Sequence, residues 1–333
     1  MKVLAISDNL INQEMLKNGL KELVDQGAEV TIKDWSHDTI ENLQNDNLAI
    51  EQHGANAVEL GKEFFESIDE YDVIITQFAP IGKKLIEKAQ KLHYIGVLRG
   101  GIENIDQEAA AKQGIEVVNT PGRNARAVAE FTVGLILAEI RNIARSHEGM
   151  KNNIWLKDFP NKEAIPELGE QTVGLVGMGN IGKYVAQFLE GFGTKIVYYD
   201  PFLTNALDYE QAKTIDELVE KSDIVSLHLR LSEDTHRIIN RDVLEKMKPT
   251  TYLINTARSG LIDEKALLDV LKNKKIMGAA LDTFDDEPLP ADSPFLELDN
   301  VTMTPHLAGS TIDAFKNTPR LLAKILLSKI ELP

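Results

Sequence analysis

The 333-residue chain contains no cysteine. Disulfides, thiolate zinc sites, iron–sulfur clusters and a thiol nucleophile are therefore excluded together. Positive charge is also scarce: 36 Lys and Arg stand against 52 Asp and Glu, a formal net charge of −16. A field of that sign repels the nucleic-acid backbone and anionic membranes, so neither is an expected partner. Any anionic ligand must then be gathered by a few local cations. No run approaches the roughly 18 apolar residues of a membrane span. The most apolar stretch, Phe131–Ala138, is too short and reads as a buried helix. Met1 leads straight into the strand-like Lys2–Ser7, with neither a basic n-region nor an apolar h-region, and a cytoplasmic address is expected. Neither metal-ligand spacing nor a G-x-S-x-G elbow occurs, so no metal is expected.

What is present is the composition of a soluble globular enzyme or binding protein, 43% apolar and 26% charged, at a length that points to two domains. Short β-rich runs alternate with amphipathic helical patterns from end to end. Strands are expected at Val3–Ser7, Val30–Trp35, Val73–Thr76, Tyr94–Leu98 and Glu116–Asn119, with helices at Asn12–Gln26, Gly82–Lys91 and Gln107–Gln113 between them. A second series follows at Thr172–Val176, Lys195–Tyr199, Ile224–Leu227, Tyr252–Asn255, Met277–Leu281 and Val301–Met303. Both series read as parallel sheets covered by helices. Thr120-Pro121-Gly122 marks the division and opens a helical pattern that runs to about Arg145. The helical segment after Thr311 needs another surface for its apolar face, and its return to the first domain would make that domain discontinuous. The expected domains are 1–119 with 306–333, and 120–305.

The most informative segment is Gly177-Met178-Gly179-Asn180-Ile181-Gly182, a G-x-G-x-x-G between an apolar strand and a helix. Gly177 permits the tight turn, Gly179 lets backbone amides approach a pyrophosphate, and Gly182 allows close helix–strand packing. The next strand ends in Asp200, near the spacing expected of an acid that accepts hydrogen bonds from an adenosine ribose. That carboxylate would repel a 2′-phosphate, and the following Pro201-Phe202-Leu203 offers no arginine to reverse the preference. The expected cofactor is NAD, held by Gly177, Gly179, Asn180, Ile181, Gly182 and Asp200.

Later strand ends carry groups that can do chemistry. Asn255-Thr256-Ala257-Arg258-Ser259-Gly260 places Arg258 at the carboxyl edge of a sheet, and arginine has the rigid fork that best holds a carboxylate. Leu281-Asp282 runs into the acidic Asp285-Asp286-Glu287, and His306 follows the last strand. His228, at the end of Ile224–Leu227, would flank the cofactor. Singly, these residues have plain readings: a surface charge, a solvated acidic loop, a turn histidine. Together, behind a dinucleotide fingerprint, they point to a reaction site.

These segments resemble the D-isomer-specific 2-hydroxyacid dehydrogenases, the match being good from about Asn119 to Ser310 and looser before it. The resemblance implies a Rossmann NAD-binding domain inserted into a flavodoxin-like substrate domain, both doubly wound parallel α/β sheets. It implies that His306 gives a proton to the carbonyl oxygen, that Glu287 orients it, and that Arg258 clamps the substrate. Thr256, Ala257 and Asp282 would then lie at the cofactor, Asp282 against the nicotinamide carboxamide. Such roles suit the reduction of a 2-keto acid, in which a hydride goes to carbon and a proton to oxygen. A neighbouring carboxylate favours the imidazolium that supplies the proton.

For the substrate, the family's main-chain cradle carries over to Gly100 and Gly101 in Leu98-Arg99-Gly100-Gly101-Ile102-Glu103. Arg99 either contacts a distal acid or phosphate of the substrate or pairs with Glu103. The segment Asn119–Glu130 resembles the hinge of 3-phosphoglycerate dehydrogenases, which would bring Asn124 to the substrate. Departures from that branch are Thr76-Gln77-Phe78-Ala79-Pro80, which lacks its phosphate-binding Ser-Arg-Thr, and Arg230 where the family commonly has Pro. No regulatory domain is expected beyond Pro333. The expected partners are a small anionic 2-hydroxy or 2-keto acid and a second copy of the chain, paired through the helix after Ala125. An NAD(H)-sensing corepressor, known from another branch, is the alternative function. Formate dehydrogenase is disfavoured by the acidic motif that precedes His306.

Overall fold

Runs such as Val-Leu-Ala-Ile and Val-Ile-Ile-Thr, apolar on both faces, suit strands buried from either side. In the computed structural model, which describes residues 1–203, 205 and 207–330, they form the middle of a five-stranded parallel sheet. Its strands are β1 (Lys2–Ser7), β2 (Glu29–Asp34), β3 (Val73–Thr76), β4 (Tyr94–Val97) and β5 (Glu116–Asn119), in the order β2-β1-β3-β4-β5. Val3 pairs with Val30 on one side and Val73 on the other, which fixes the register at the point where the order reverses. That order is the flavodoxin-like one, and its reversal opens a crevice at the strands' carboxyl ends.

The helix Ile312–Leu327 belongs to this same compact unit, which comprises Met1–Arg123 and the segment from Thr311 onward. Thr311 caps it by accepting a hydrogen bond from the Ala314 amide at 3.2 Å. Leu322, Ala323 and Leu326 are fully buried among Val3, Ala5, Leu16 and Val73. Each of the two leucines contributes about 1.5–3 kcal/mol by leaving water. Glycine is required beneath it, since a Cβ on Gly96 would lie 2.8 Å from Leu322 Cδ2.

The second unit, Asn124–Ser310, is a seven-stranded parallel sheet. Its strands are β6 (Thr172–Val176), β7 (Lys195–Tyr199), β8 (Glu210–Gln211), β9 (Ile224–Leu227), β10 (Tyr252–Asn255), β11 (Gly278–Leu281) and β12 (Val301–Met303). They run β12-β11-β10-β9-β6-β7-β8, the Rossmann arrangement with one added strand. Apolar clusters fill both faces. Order reverses between β6 and β9, so the glycine turn and His228 emerge side by side.

Several helices depart from expectation. The pattern at Asn12–Gln26 breaks at Leu20 into Gln13–Gly19 and Lys21–Asp25, because Gly19 packs under Pro319 of the terminal helix. The helix expected to reach Arg145 stops at Ile140, and Asn142 takes a left-handed turn (φ +56°) before Ile143–Lys151 begins. Asn tolerates that conformation better than most residues. Two elements escape a reading of periodicity: the two-residue β8 and the helix Ile40–His53. In that helix only Leu43 and Ile50 are buried, too sparse a stripe to stand out among its Asn, Asp and Gln residues. Among the described residues no helix is long and apolar enough to cross a membrane.

Candidate active site

The glycines of the β6 turn are explained by what a side chain would strike. Gly177 has φ +102°, and a Cβ there would come within 2.9 Å of the His228 carbonyl carbon. A Cβ on Gly182 would collide with the Gly177 carbonyl oxygen, whereas one on Gly179 would meet nothing within 4 Å. Gly179 therefore leaves open the approach to the first turn of the helix Asn180–Glu190, which has no side-chain cap. Uncapped amides at a helix start suit a pyrophosphate, and Asn180 and Ile181 lie beside them. Asp200 closes the turn from β7, accepting from the Met178 amide at 2.7 Å and the Phe202 amide at 2.8 Å. One further lone pair on each oxygen can accept a ribose hydroxyl. The cradle fits a dinucleotide.

His228 is buried, and burial pushes its imidazole down to about 3, so it is neutral at physiological pH. Its Nε2 lies 3.0 Å from Ser226 Oγ, while Nδ1 has no partner. At the end of β10, Thr256 is buried with its hydroxyl 2.7 Å from that of Thr132. The adjacent loop is braced by Asn255, whose side chain accepts from the Ala257 amide at 3.0 Å and donates to the Arg258 carbonyl at 2.9 Å. Composition gives no hint of that brace. Arg258 itself is exposed, and among the described residues its guanidinium makes one hydrogen bond, to the Ala257 carbonyl at 2.7 Å. Its remaining donors are available to a ligand.

The acidic loop and the histidine meet. His306 Nδ1 lies 2.8 Å from Glu287 Oε2, and the other Glu287 oxygen accepts from the Phe284 amide at 3.0 Å. Asp285 and Asp286 are exposed and do not reach the ring. With Nδ1 engaged, Nε2 is the nitrogen left for proton exchange. His306 has φ +53°, and the loop that holds it so is fastened by Asp282. Fully buried, Asp282 accepts from Thr304 Oγ1 at 2.5 Å and from the Leu307 and Ala308 amides at 2.9 Å. Three of its roughly four lone-pair sites are thus used within the protein. Asp282 thus anchors the His306 loop. Asn124 leaves the following helix uncapped and packs its amide against Gly309, where a Cβ would collide with it.

In the first unit a Cβ on Gly100 would meet nothing within 4 Å, and Asn119 donates to its carbonyl at 2.6 Å. Gly101 faces the Glu103 carboxylate. Of the two readings of Arg99, the ion pair is the one present. Its guanidinium donates to Glu51 and Asn47 at 2.7 Å and to Glu103 at 3.0 Å, over the Phe78 ring. That engagement uses three of the five guanidinium donors of Arg99. Glu51 and Asn47 lie on the helix Ile40–His53, the element that periodicity missed. Among the described residues no group of three His, Asp or Glu side chains is placed to hold a metal ion.

Comparison with known proteins establishes the family. Residues 133–308 match the model of the D-isomer specific 2-hydroxyacid dehydrogenase NAD binding domain, and residues 30–195 that family's catalytic domain. A glyoxylate reductase of Thermofilum pendens is 40% identical over 278 residues, 81% of this chain and 81% of that protein. A D-3-phosphoglycerate dehydrogenase of Methanocaldococcus jannaschii is 40% identical over 268 residues, 79% of this chain but 50% of that relative, so the chain spans about half its length. The solved structure of a D-2-hydroxyisocaproate dehydrogenase, 25% identical, covers 99% of this chain and 98% of its own with a TM-score of 0.76. The chain belongs to the D-isomer-specific 2-hydroxyacid dehydrogenases, NAD-dependent oxidoreductases that act on CH–OH donors.

Proposed function

We propose that this enzyme interconverts a small D-2-hydroxy acid and its 2-keto acid, with His306 as acid and base, Glu287 as its orienting partner and Arg258 as the substrate clamp. The observation that carries the reading is the 2.8 Å contact between His306 Nδ1 and Glu287. Bound NADH supplies the hydride that goes to the carbonyl carbon. As the C=O electron pair moves onto oxygen, His306 gives that oxygen the proton from Nε2, and Glu287 stabilises and aims the ring. In the reverse direction the neutral imidazole takes the hydroxyl proton. Arg258 binds the carboxylate and polarises the carbonyl. Gly100, Gly101 and Asn124 are the further residues assigned to substrate binding. His228 flanks the cofactor as a neutral imidazole.

The test is a panel of glyoxylate, pyruvate, hydroxypyruvate, oxaloacetate and 3-phosphohydroxypyruvate, each with NADH and with NADPH. Turnover with NADH is expected, and NADPH should be about 10-fold or more poorer in kcat/KM, since Asp200 meets the 2′-phosphate with like charge. Tight NADH binding without turnover on any of the acids would overturn the reading.

A homodimer is part of the same proposal, through a different surface from the one expected. In the run Phe131–Ala138, Thr132, Val133, Leu135 and Ile136 are buried within their own unit. The exposed apolar side chains come afterwards, at Ile143, Met150, Ile154, Trp155 and Ile165, with Trp155 75% exposed. Five exposed apolar side chains within 23 residues of sequence suit an association surface. Trp155→Asp is expected to convert a sedimenting dimer to a monomer at micromolar concentration. A wild-type chain that sediments as a monomer would refute the dimer.

A further inference from the structure

Four side chains outside the reaction machinery gather at the carboxyl edge of the first unit's sheet: Asp8 after β1, Gln77 after β3, Arg99 after β4 and Arg123 after β5. This is the edge at which open α/β sheets bind ligands. The two arginines differ in one respect. Arg99 is engaged by two carboxylates and an amide. Arg123, among the described residues, makes no side-chain hydrogen bond or ion pair, and its Nη1 is sealed from solvent without an acceptor. Its guanidinium lies 5.2 Å from the centre of the Phe315 ring, which holds the fork in place from one face. Burial, followed by the nearby Arg99, draws it down to about 10, so it remains a cation at neutral pH.

Asp8 lies near enough to favour this cation but makes no ion pair or hydrogen bond with it among the described residues. Its carboxylate is turned into its own loop, accepting from the Leu10 and Ile11 amides at 2.8 Å, and from the Gln77 amide at 3.2 Å once that side chain is oriented to donate. A half-buried cation with one nitrogen sealed from solvent and no acceptor is costly to the fold, and a site that keeps one has a use for its donors. The loop that carries it is tied to the glycine cradle. Arg123 N donates to the Thr120 carbonyl, Thr120 N donates to the Arg99 carbonyl at 3.1 Å, and the Asn119 side chain donates to the Gly100 carbonyl at 2.6 Å.

We propose that Arg123 selects substrates bearing a second anionic group, a carboxylate or phosphate beyond C2, by offering its uncommitted guanidinium to that group. This inference rests on the 2-keto acid reading above. It assigns the part to Arg123 rather than to Arg99, whose charge is already paired with Glu51 and Glu103. A planar fork with a full positive charge suits a carboxylate or phosphate better than a neutral hydroxyl.

The test compares the wild type with R123M and R123K on glyoxylate and pyruvate, which carry one anionic group, and on oxaloacetate and 3-phosphohydroxypyruvate, which carry a second. The wild type should favour a doubly anionic acid, and which of the two it favours identifies the distal group. R123M should lower kcat/KM for that acid about 100-fold, mostly through KM, while changing the singly anionic acids less than about 3-fold. R123K, keeping the charge, should recover part of the loss. NADH binding and the melting temperature report that the variants are folded. Equal losses on all four acids, no loss on any, or a wild type that prefers glyoxylate and pyruvate would each overturn the proposal. A wild type that binds NADH but reduces none of the acids would instead overturn the activity on which the proposal stands.

Discussion

His306→Gln is expected to lower kcat by about 10³-fold or more while NADH binding stays near that of the wild type. The amide preserves bulk and a polar contact to Glu287 but cannot deliver a proton to the developing alkoxide. Cofactor affinity should survive because the imidazole is not part of the dinucleotide cradle, which is built from the β6 turn and Asp200. Fold stability should also survive, since the loop is fastened through Asp282 to Thr304, Leu307 and Ala308, with His306 only hanging from it at 47% side-chain exposure. Fluorescence titration with NADH beside steady-state reduction of the preferred keto acid separates the two effects. Ordinary turnover in the variant would remove His306 from the chemistry.

The second large effect is expected at Arg258. Replacement by Lys keeps a positive charge but loses the two-pronged fork, and kcat/KM should fall about 10²-fold. Both kinetic constants should suffer, because a clamp that also polarises the carbonyl acts in the ground state and more strongly as negative charge builds on oxygen. Stability should hardly change: the exposed Arg258 side chain makes one hydrogen bond, to the neighbouring Ala257 carbonyl, and the loop itself is held by Asn255. Kinetics indistinguishable from wild type would show that some other cation holds the substrate carboxylate.

What could be read from the chain, and what could not, follows the range of the interactions involved. The glycine turn, Asp200 and the strand-end positions of Arg258, Glu287 and His306 are local patterns, since each is defined within a strand and the few residues after it. The state of Arg99 was half visible: Glu103 lies four residues on, but Glu51 is 48 residues away on a helix whose apolar stripe is too thin to announce itself. The anchoring of the His306 loop by Asp282 is not legible locally, because its three partners come from a loop more than twenty residues later. Arg123 was passed over for a different reason. Its significance lies in having no side-chain hydrogen bond or ion pair among the described residues, which no local pattern reveals.

The terminal helix has a consequence for how the enzyme comes into being. It reaches across the chain, with Lys329 bonding Glu116 and Tyr94 over 213 and 235 residues of sequence. The first sheet is made before any of the second, yet Gly96 and its neighbours on β4 stay uncovered until Leu322 arrives. During synthesis the cofactor-binding unit, contiguous from Asn124 to Ser310, can reach its native state first. The half that is translated first therefore completes its core only when the last residues of the chain arrive.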